Sequence, residues 1–300
     1  MQINEASPTY ILTTDIGGTH ITSAICNLEL KMIIPESLIR VEVFSKDTAD
    51  HIFAAWNMAF RHSVANSPGA VMGMGVAMPG PFDYENGISY IKGLDKYESI
   101  YGLNIKKQFA ESLNLNSLNI RFRNDAESTI AGEIIAGAGQ KYNDVVGITL
   151  GTGFGSAFSK NKITRDINWG SDKYKNSIAD DYFSTRWFLT RYHELSESFI
   201  PGVKELAILA ENDGNAIKVF NEFAVELNAF LKQKLPVFSP QALVICGNIA
   251  KANHLFLPYL KENLSPVIVE LGQLGEHASL LGAASLFETP FNVVVNTSVN

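Results

Sequence analysis

The first 44 residues alternate between apolar and polar positions in a way that predicts short strands separated by turns. Two of these strands flank the consecutive glycines Gly17 and Gly18. Pro35 is expected to break the region that follows, because proline cannot donate to a strand ladder. The predicted segments are strands over 10–14 and 21–26, a turn over 27–31, and strands over 32–34 and 39–44. The chain is therefore predicted to open as an antiparallel meander.

Helical periodicity begins near residue 50. Asp50 is expected to cap a helix whose residues Ile52, Trp56 and Phe60 form one apolar face that covers the sheet. The later segments of the first half are a strand over 71–78 that ends in Pro79-Gly80-Pro81, mostly loop over 82–102, a helix over 104–113 and a strand over 118–122. Strand and helix therefore alternate up to residue 122.

The second half repeats the opening arrangement. A helix over 126–138 leads to a strand over 145–150, a glycine turn over 151–155 and a strand over 156–159. This echo of residues 10–26 suggests a duplicated architecture in which each half presents one hairpin to a shared cleft. Residues 160–176 are polar and are predicted to be irregular. The remaining prediction is helices over 177–192 and 217–235, a strand over 242–246, a helix over 250–263, a strand over 266–270 and a helix over 277–287.

Composition narrows the class of protein. The chain has 300 residues, 46% of them hydrophobic and 18% charged, which is long enough for two soluble domains. A net charge of −7 argues against nucleic-acid binding and favours a small-molecule partner. Cys26 and Cys246 both lie in apolar runs, which indicates buried free thiols in a reducing compartment. No signal peptide or apolar run of about 18 residues occurs, so we expect a cytoplasmic protein with no membrane contact.

Asn124 and Asp125 stand where an apolar strand gives way to an alanine-rich helix. Either residue is a suitable helix N-cap, and the simplest interpretation is that Asp125 does no more than cap the helix. The alternative is that its carboxylate faces a cleft and acts as a base. The glycine-rich turns that flank this junction in sequence favour the second interpretation, because together they suggest two phosphate-binding turns and a base.

The two glycine turns have the composition of anion-binding loops. Neither is a Walker A loop or a dinucleotide fingerprint, since each leads into a strand. Backbone N–H groups approach an anion closely where glycine has no Cβ, and Thr19 and Thr152 add hydroxyl donors. Asp15, beside the first turn, is placed to hold a magnesium ion through water. A plain tight turn remains the alternative for each.

With these residues the chain resembles the ROK family of sugar kinases over nearly its whole length. The resemblance depends on six segments in the right order, each weak by itself. They are Asp15-Ile16-Gly17-Gly18-Thr19, Gly75-Val76-Ala77-Met78-Pro79-Gly80-Pro81, Asn124-Asp125-Ala126 with Gly132-Glu133, Gly151-Thr152-Gly153-Phe154-Gly155, Cys246-Gly247-Asn248-Ile249-Ala250, and Leu274-Gly275-Glu276-His277-Ala278 running into Leu281-Gly282-Ala283-Ala284.

The resemblance implies an α/β protein with two ribonuclease-H-like domains, of the actin and hexokinase type, on either side of a cleft. The expected lobes are residues 1–122, joined by about 288–300, and residues 123–300. The implied reaction is ATP-dependent phosphorylation of a hexose with Mg2+, in which Asp125 is the general base. The implied ligand residues are Asn124, Gly80, Glu133 and Asp180 for the sugar, Gly17, Gly18, Thr19, Gly151, Thr152, Gly153, Gly247 and Asn248 for ATP and its phosphates, and Asp15 for magnesium.

The chain departs from the family in the segment beside the sugar. Many members carry Glu-Ile-Gly-His and then a cysteine-rich zinc loop, whereas this chain has Asp166-Ile167-Asn168-Trp169-Gly170 and no cysteine between 27 and 245. Asp180 is a counterpart of the family's later glutamate, although Asp181 competes with it and an exposed helix cap is the alternative. We predict no zinc, because a structural site needs about four Cys or His ligands. The aromatic residues Trp169, Tyr174, Tyr182, Phe183 and Trp187 are expected to order the loop instead.

These observations favour an ATP- and magnesium-dependent sugar kinase, most simply a glucokinase. Two rivals stay open: a kinase for N-acetylmannosamine or N-acetylglucosamine, and a sugar-binding sensor that has lost turnover. A transcriptional regulator of this family would carry an N-terminal helix-turn-helix domain, and the 14 residues before Asp15 leave no room for one. The expected partners are a small-molecule sugar and ATP, and we expect a homodimer.

Overall fold

The opening strands form the antiparallel meander that their alternation predicts. In the computed structural model, which describes residues 9–288, strands β1 (Tyr10–Ile16), β2 (His20–Asn27) and β3 (Met32–Glu42) pair in succession. Leu12 and Ile25, which face each other across β1 and β2, are fully buried. The apolar positions of the hairpin therefore build one face of a core.

Pro35 does not break β3, contrary to the prediction. The strand lies at the edge of its sheet, and Pro35 falls between Ile34 and Ile39, where β3 has no register partner in β2, so its missing N–H donor removes no ladder bond. The register shifts between Ser23 and Ile25, and the Ser37 hydroxyl fills the gap. Its oxygen accepts the Ile25 N–H at 2.7 Å and its O–H donates to the Ile34 carbonyl at 2.7 Å. A side chain thus replaces the backbone pairing that a regular strand would make.

The rest of the first half alternates helix and strand. Helix α1 carries the predicted apolar face, but its N-cap is Thr48 rather than Asp50, because the Thr48 hydroxyl accepts the His51 N–H. Asp50 lies in the first turn instead. Asn104 caps α2 through the Lys107 N–H. The elements are α1 (Ala49–Ala65), β4 (Val71–Met78), β5 (Phe82–Asp83), β6 (Ile88–Ser89), α2 (Ile105–Leu113) and β7 (Ile120–Asn124), with 3-10 turns at Glu98–Ile100 and Ser117–Asn119.

The second half contains the longest helix and a second meander. Its elements are α3 (Asp125–Ala136), β8 (Asp144–Leu150), β9 (Phe154–Lys160), β10 (Ile163–Asp166), β11 (Lys173–Tyr174), β12 (Ser177–Ile178), α4 (Asp180–Phe183), α5 (Thr185–Ser196), α6 (Val203–Leu209), α7 (Gly214–Lys234), β13 (Ala242–Cys246), α8 (Leu257–Asn263), β14 (Ile268–Leu271) and α9 (His277–Ala284). Further 3-10 segments are Trp169–Ser171, Leu235–Val237, Ile249–Leu255 and Ser285–Phe287. Residues 160–176, predicted to be irregular, contain β10 and β11, and α6 was not predicted.

The two five-stranded sheets have corresponding strand orders, as the echo between the two halves predicts. The first is β3-β2-β1-β4-β7 and the second is β10-β9-β8-β13-β14. In each, a three-stranded antiparallel meander is extended by a strand parallel to the first strand of the meander, β4 beside β1 and β13 beside β8. The predicted α/β class is confirmed, and each glycine turn joins the first two strands of its sheet.

The chain folds into two compact units. Among the described residues, one contains 9–123 and 283–288, and the other is Asn124–Gly282. The return to the first unit thus begins at Ala283 rather than near residue 288. Glycine at position 75 permits it, because a Cβ there would overlap the Ala283 backbone. Residues 289–300, which were also expected in the first lobe, lie outside the described part of the chain.

Each unit has its own core. Trp56, Phe60 and Phe109 are at most 1% exposed at the centre of the first. Phe183, Phe223 and Phe230 are equally buried in the second. Cys26 and Cys246 are buried free thiols, as predicted, and burial raises the pKa of Cys26 to about 12. Within residues 9–288 no helix combines the length and the apolar character needed to cross a membrane.

Candidate functional site

The first glycine turn is a tight connection between β1 and β2. The Gly17 N–H donates to the His20 carbonyl at 2.8 Å and closes the turn. Thr19 is exposed, with its hydroxyl 2.9 Å from His20 Nδ1, and its carbonyl accepts the Val43 N–H at 2.8 Å. The turn is thus held at both ends while Gly18 and Thr19 lie at its tip.

Asp15 lies at the end of β1, opposite Thr22 in β2 and Ala77 in β4. Its side chain is half-buried. Burial of the nearby Tyr97 phenol raises the pKa of that group, and the negative charge of Asp15 raises it further. A single carboxylate beside a turn that is predicted to bind phosphate is a donor set that suits Mg2+, which is commonly bound by one or two carboxylates together with substrate phosphates. Asp15 therefore fits the role that the resemblance implies.

Gly80 follows β4 in the same unit. A Cβ at this position would lie 3.2 Å from the Tyr84 hydroxyl, which donates to the Met78 carbonyl at 3.1 Å. Glycine therefore leaves the backbone at 80 uncovered while Tyr84 fixes the turn after β4. Its contact with a sugar stays a prediction.

Asn124, not Asp125, caps α3. The Asn124 Oδ1 atom accepts the N–H groups of Ala126 at 2.9 Å and Glu127 at 3.2 Å. Asp125 Oδ1 accepts the same Ala126 N–H at 2.9 Å, and within residues 9–288 this is the one hydrogen bond of its carboxylate. Asn124 thus supplies the cap, and Asp125 Oδ2 is left without a hydrogen-bond partner among the described residues.

Asp166 was not among the predicted site residues, yet it lies close enough to Asp125 for an electrostatic interaction between the two carboxyl groups. Burial raises the pKa of the Asp166 carboxyl and the negative charge of Asp125 raises it further, while the hydrogen bond from the Asn168 N–H at 2.8 Å lowers it. The available signal was its place at the head of Asp166–Gly170, the segment that departs from the family motif. A second carboxylate therefore stands near the candidate base.

The second glycine turn joins β8 to β9. The Gly151 N–H donates to the Gly153 carbonyl at 3.1 Å, and the Gly151 carbonyl accepts both the N–H and the hydroxyl of Thr185, at 2.8 and 2.9 Å. Thr152 and Gly153 are exposed at the tip. At Gly155 a Cβ would overlap Ala126 at the start of α3. Glycine there lets this hairpin pack directly against the helix that carries Asp125.

Asp180 accepts a hydrogen bond from this turn and is not an exposed helix cap. Its Oδ1 accepts the Phe154 N–H at 2.6 Å, and a Cβ on Gly153 would lie 3.0 Å from the same oxygen. Its Oδ2 lies 3.3 Å from Arg186 Nη2, whose shorter contact, 2.6 Å, is with Asp181. The structure thus gives Asp180 a backbone partner in the glycine turn, a role that neither interpretation of the sequence included. Whether it also touches sugar stays a prediction.

Gly247 and Asn248 follow β13, which runs parallel to β8 with Cys246 opposite Thr149. Gly247 has φ +94°, and a Cβ there would overlap the Leu150 carbonyl. Only glycine allows this backbone to approach the end of β8 in such a conformation. Asn248 is exposed and is the N-cap residue of the 3-10 segment Ile249–Leu255. The structure therefore brings Gly247 and Asn248 beside the second glycine turn.

Glu133 is the predicted sugar residue that the structure places elsewhere. It is 1% exposed, and its carboxylate accepts three backbone N–H groups, from Gln273 and Leu274 at 2.8 Å on Oε1 and from Ala138 at 2.9 Å on Oε2. Gly137 makes room for it, because a Cβ there would overlap Oε2. A carboxylate so enclosed presents no surface to a ligand, so Glu133 holds the segment after β14 against α3 instead of binding sugar.

The segment over 166–187, which departs from the family motif, is packed around one phenylalanine. The ring centroid of Phe230 in α7 lies 5.8 Å from that of Trp169, 5.3 Å from that of Tyr174 and 5.1 Å from that of Phe183. Tyr182 and Trp187 are only partly buried at the edge of this core. Asp172 also pairs with Lys234 of α7 at 2.6 Å. In the part of the chain from 9 to 288, no group of three His, Cys, Asp or Glu residues is arranged to hold a metal ion.

The predicted site residues thus form one group in each unit. Asp15, the first glycine turn and Gly80 lie at the ends of β1 and β4. In the second unit, the glycine turn, Asp180 and Gly247 gather at the ends of β8 and β13, and the start of α3 packs against the same hairpin. The predicted residues therefore group by structure and not only by sequence, with Glu133 the exception.

Comparison with known proteins identifies the family and the fold. The model of the ROK family matches residues 11–166. The N-acetyl-D-glucosamine kinase of Histophilus somni is 25% identical over 91% of this chain and 97% of its own length. The xylose repressor of Bacillus subtilis is 20% identical over 92% of this chain and 76% of its own.

A solved structure shows the same fold. A ROK family glucokinase from Streptomyces griseus, in complex with glucose and AMPPNP, superposes with a TM-score of 0.74 at 22% identity, covering 92% of this chain and 98% of that one. The ribonuclease-H-like α/β fold implied by the sequence motifs is thereby confirmed.

Proposed function

The chain belongs to the ROK family, and from this premise we propose that it is an ATP-dependent kinase that phosphorylates a hydroxyl of a hexose, most simply glucose. Relatives named for kinase activity on N-acetyl-D-glucosamine and on glucose support this class of reaction. The identities are 25% and 22%, so they support the class more strongly than the choice of sugar.

The state of Asp125 is the observation that carries the proposal. Asn124 supplies the helix cap, and the Asp125 carboxylate keeps an oxygen without a hydrogen bond among residues 9–288. A general base needs such an oxygen within reach of the hydroxyl proton that it removes. We assign that role to Asp125, with Asn124 hydrogen-bonded to the sugar beside it.

The remaining parts supply positioning and charge stabilisation, which are what phosphoryl transfer requires of a protein. In the second unit, the turn over 151–153 and the Gly247-Asn248 segment bind the nucleotide, and in the first unit Gly17, Gly18 and Thr19 bind phosphate. Asp15 would hold Mg2+, which neutralises phosphate charge when bound. Asp180 keeps the second turn in place through the Phe154 N–H.

An N-acetylhexosamine is the second candidate substrate. It is favoured by the relative with 25% identity, which is named for that activity. A sugar sensor without turnover is the third possibility, since the xylose repressor matches 92% of this chain. Homodimer formation, a cytoplasmic location and independence of zinc stay predictions.

A coupled ADP-release assay separates these functions. The protein is tested with glucose, mannose, N-acetylglucosamine and N-acetylmannosamine, each with and without magnesium. We expect ADP release that requires both a sugar and magnesium, and the sugar with the highest kcat/KM identifies the substrate. Measurable sugar binding by calorimetry with no turnover on any of the four would favour the sensor.

Asp125→Asn tests the base. Loss of general-base catalysis should lower kcat by roughly 10²- to 10⁴-fold while sugar binding survives. Asp50→Asn is a matched control, because Asp50 is also an aspartate in the first turn of a helix, and it is exposed in α1. Near-normal kcat in a folded Asp125→Asn protein would remove Asp125 from the mechanism.

A further inference from the structure

The segment from Gly93 to Glu98 lies against the first glycine turn and is held rigidly there. Glu98 Oε1 accepts the Gly93 N–H at 2.6 Å and the Leu94 N–H at 3.2 Å. The Tyr97 N–H donates to the Ser45 carbonyl at 2.6 Å. These bonds close the segment on itself and attach it to the chain after β3, so the residues between them have a fixed position relative to the turn.

Tyr97 reaches directly into the turn. Its side chain is fully buried, and its hydroxyl donates to the Gly17 carbonyl at 2.6 Å. Burial raises the pKa of the phenol, so it stays a protonated donor. The backbone at Tyr97 has φ +57°, a left-handed conformation that is uncommon for a residue with a side chain and persists where the surroundings fix it.

The hydrogen bond to Gly17 determines which way the next N–H points. The Gly17–Gly18 peptide is not among the cis bonds of the described chain, and in a planar trans peptide the carbonyl and the N–H point in opposite directions. Because Tyr97 draws the Gly17 carbonyl inward, the Gly18 N–H is directed away from the core. Within residues 9–288 that N–H has no acceptor. The turn thus presents a fixed, unused donor.

Lys96 adds a positive charge at the same place. It is half-buried, and its Cδ lies 3.7 Å from the position that a Gly18 Cβ would occupy. No described residue from 9 to 288 pairs with its ammonium group. The acids beside it in sequence are engaged elsewhere, since Asp95 pairs with Lys46 and Glu98 accepts the backbone N–H groups of its own segment. A partly desolvated cation and an unused N–H donor at one turn suit an anion.

We propose that Lys96 binds the terminal phosphate of the nucleoside triphosphate together with the Gly18 N–H, and that Tyr97 is the positioning residue that directs this N–H. The inference rests on the proposed kinase function for the identity of the anion. It adds to the predicted phosphate turn a cation from a segment that the sequence motifs do not include. A lysine ammonium suits this role because it acts as a point charge on phosphate.

Calorimetric titration with AMPPNP, ADP and AMP in the presence of magnesium tests the role of Lys96 without any turnover. Lys96→Met should weaken AMPPNP binding on the order of 10- to 100-fold, as expected for hydrogen bonds to a charged group. ADP should be affected less and AMP not at all, while Lys96→Arg should retain most of the affinity. Lys92→Met is the matched control, because Lys92 is exposed and lies over the Tyr101 ring.

Equal weakening of all three nucleotides, or unchanged AMPPNP affinity, would overturn the assignment of Lys96. A rise confined to the KM for sugar would do the same. The outcome for the kinase function is separate: AMPPNP binding that depends on Lys96 in a protein with no turnover supports this inference and contradicts the kinase proposal. A wild-type protein that binds none of the three nucleotides contradicts both.

Tyr97→Phe tests the positioning role, because it removes the hydroxyl and keeps the ring. We expect AMPPNP affinity to fall about 5- to 10-fold, the equivalent of one neutral hydrogen bond, with sugar binding unchanged. Tyr101→Phe, at a site that is 49% exposed, is the control, and thermal melts must show both proteins folded. AMPPNP affinity equal to wild type in folded Tyr97→Phe would contradict the role of Tyr97. Should Tyr97→Phe not fold, the Lys96 titrations still decide the proposal.

Discussion

Replacing Glu133 by glutamine distinguishes a structural carboxylate from a sugar ligand. The native oxygens accept three backbone N–H groups in a site that is 1% exposed. The oxygen of the glutamine amide can still accept the N–H groups of Gln273 and Leu274. Its NH2 group then faces the Ala138 N–H, so two donors meet with no acceptor between them. A buried donor without an acceptor costs about 1–3 kcal/mol. The weaker bonds to a neutral oxygen bring the expected loss in the free energy of unfolding to about 3 kcal/mol.

For a unit of about 160 residues, this loss corresponds to a fall in Tm of roughly 6–12 °C. Glu133→Ala should fall further, because it leaves all three N–H groups without an acceptor and opens a cavity. Thermal melts followed by circular dichroism give the Tm of each variant and so rank their stabilities. Glu262→Gln is the control, because Glu262 is exposed in α8. The KM for sugar should stay within about twofold in the folded fraction, since nothing at the ligand changes. An unchanged Tm with a raised KM for sugar would refute the structural role.

Two further predictions concern the second glycine turn and the metals. Gly153→Val should raise the KM for ATP far more than that for sugar, because a side chain there covers the backbone and crowds Asp180 Oδ1; a normal KM in a protein shown by its melt to be folded would contradict contact with phosphate. A zinc-selective chelator should leave Tm and sugar binding unchanged, whereas removing magnesium should stop turnover; stoichiometric zinc in untagged protein, lost together with sugar binding, would show the prediction wrong.

Local patterns predicted the elements well because their causes are local. The apolar face of α1 and the β1–β2 hairpin follow from spacing and turn residues alone. Pro35 was misjudged because the effect of proline depends on whether its strand is at an edge, which is a property of the whole sheet. The same reason explains the unpredicted β10, an edge strand whose partner, β9, fixes it.

Side-chain roles at the site were predicted less well, because their partners are distant in sequence. Asp180 bonds to a backbone N–H 26 residues away, and Glu133 to one 140 residues away. The hydrophobic periodicity of a sequence carries no information about hydrogen bonds between residues so far apart. Asn124 and Asp125 were equally acceptable caps by residue type, and only the geometry at Ala126 and Glu127 assigns the cap to Asn124. The segment 93–98 carried no motif, so Lys96 and Tyr97 became visible only beside the folded turn.

The segment from Trp169 to Phe183 is connected to the second glycine turn through the backbone and the ring of one residue, Phe154. The Phe154 N–H donates to Asp180, and the Phe154 ring lies 5.2 Å from Phe183 and 5.7 Å from Phe230. Aromatic rings buried against one another can order a loop as metal ligands do, because each buries a large apolar area. The packing around Phe230 therefore fixes both the loop and the start of β9. Changes in this segment should for that reason disturb the second glycine turn, so we expect them to affect ATP as well as sugar.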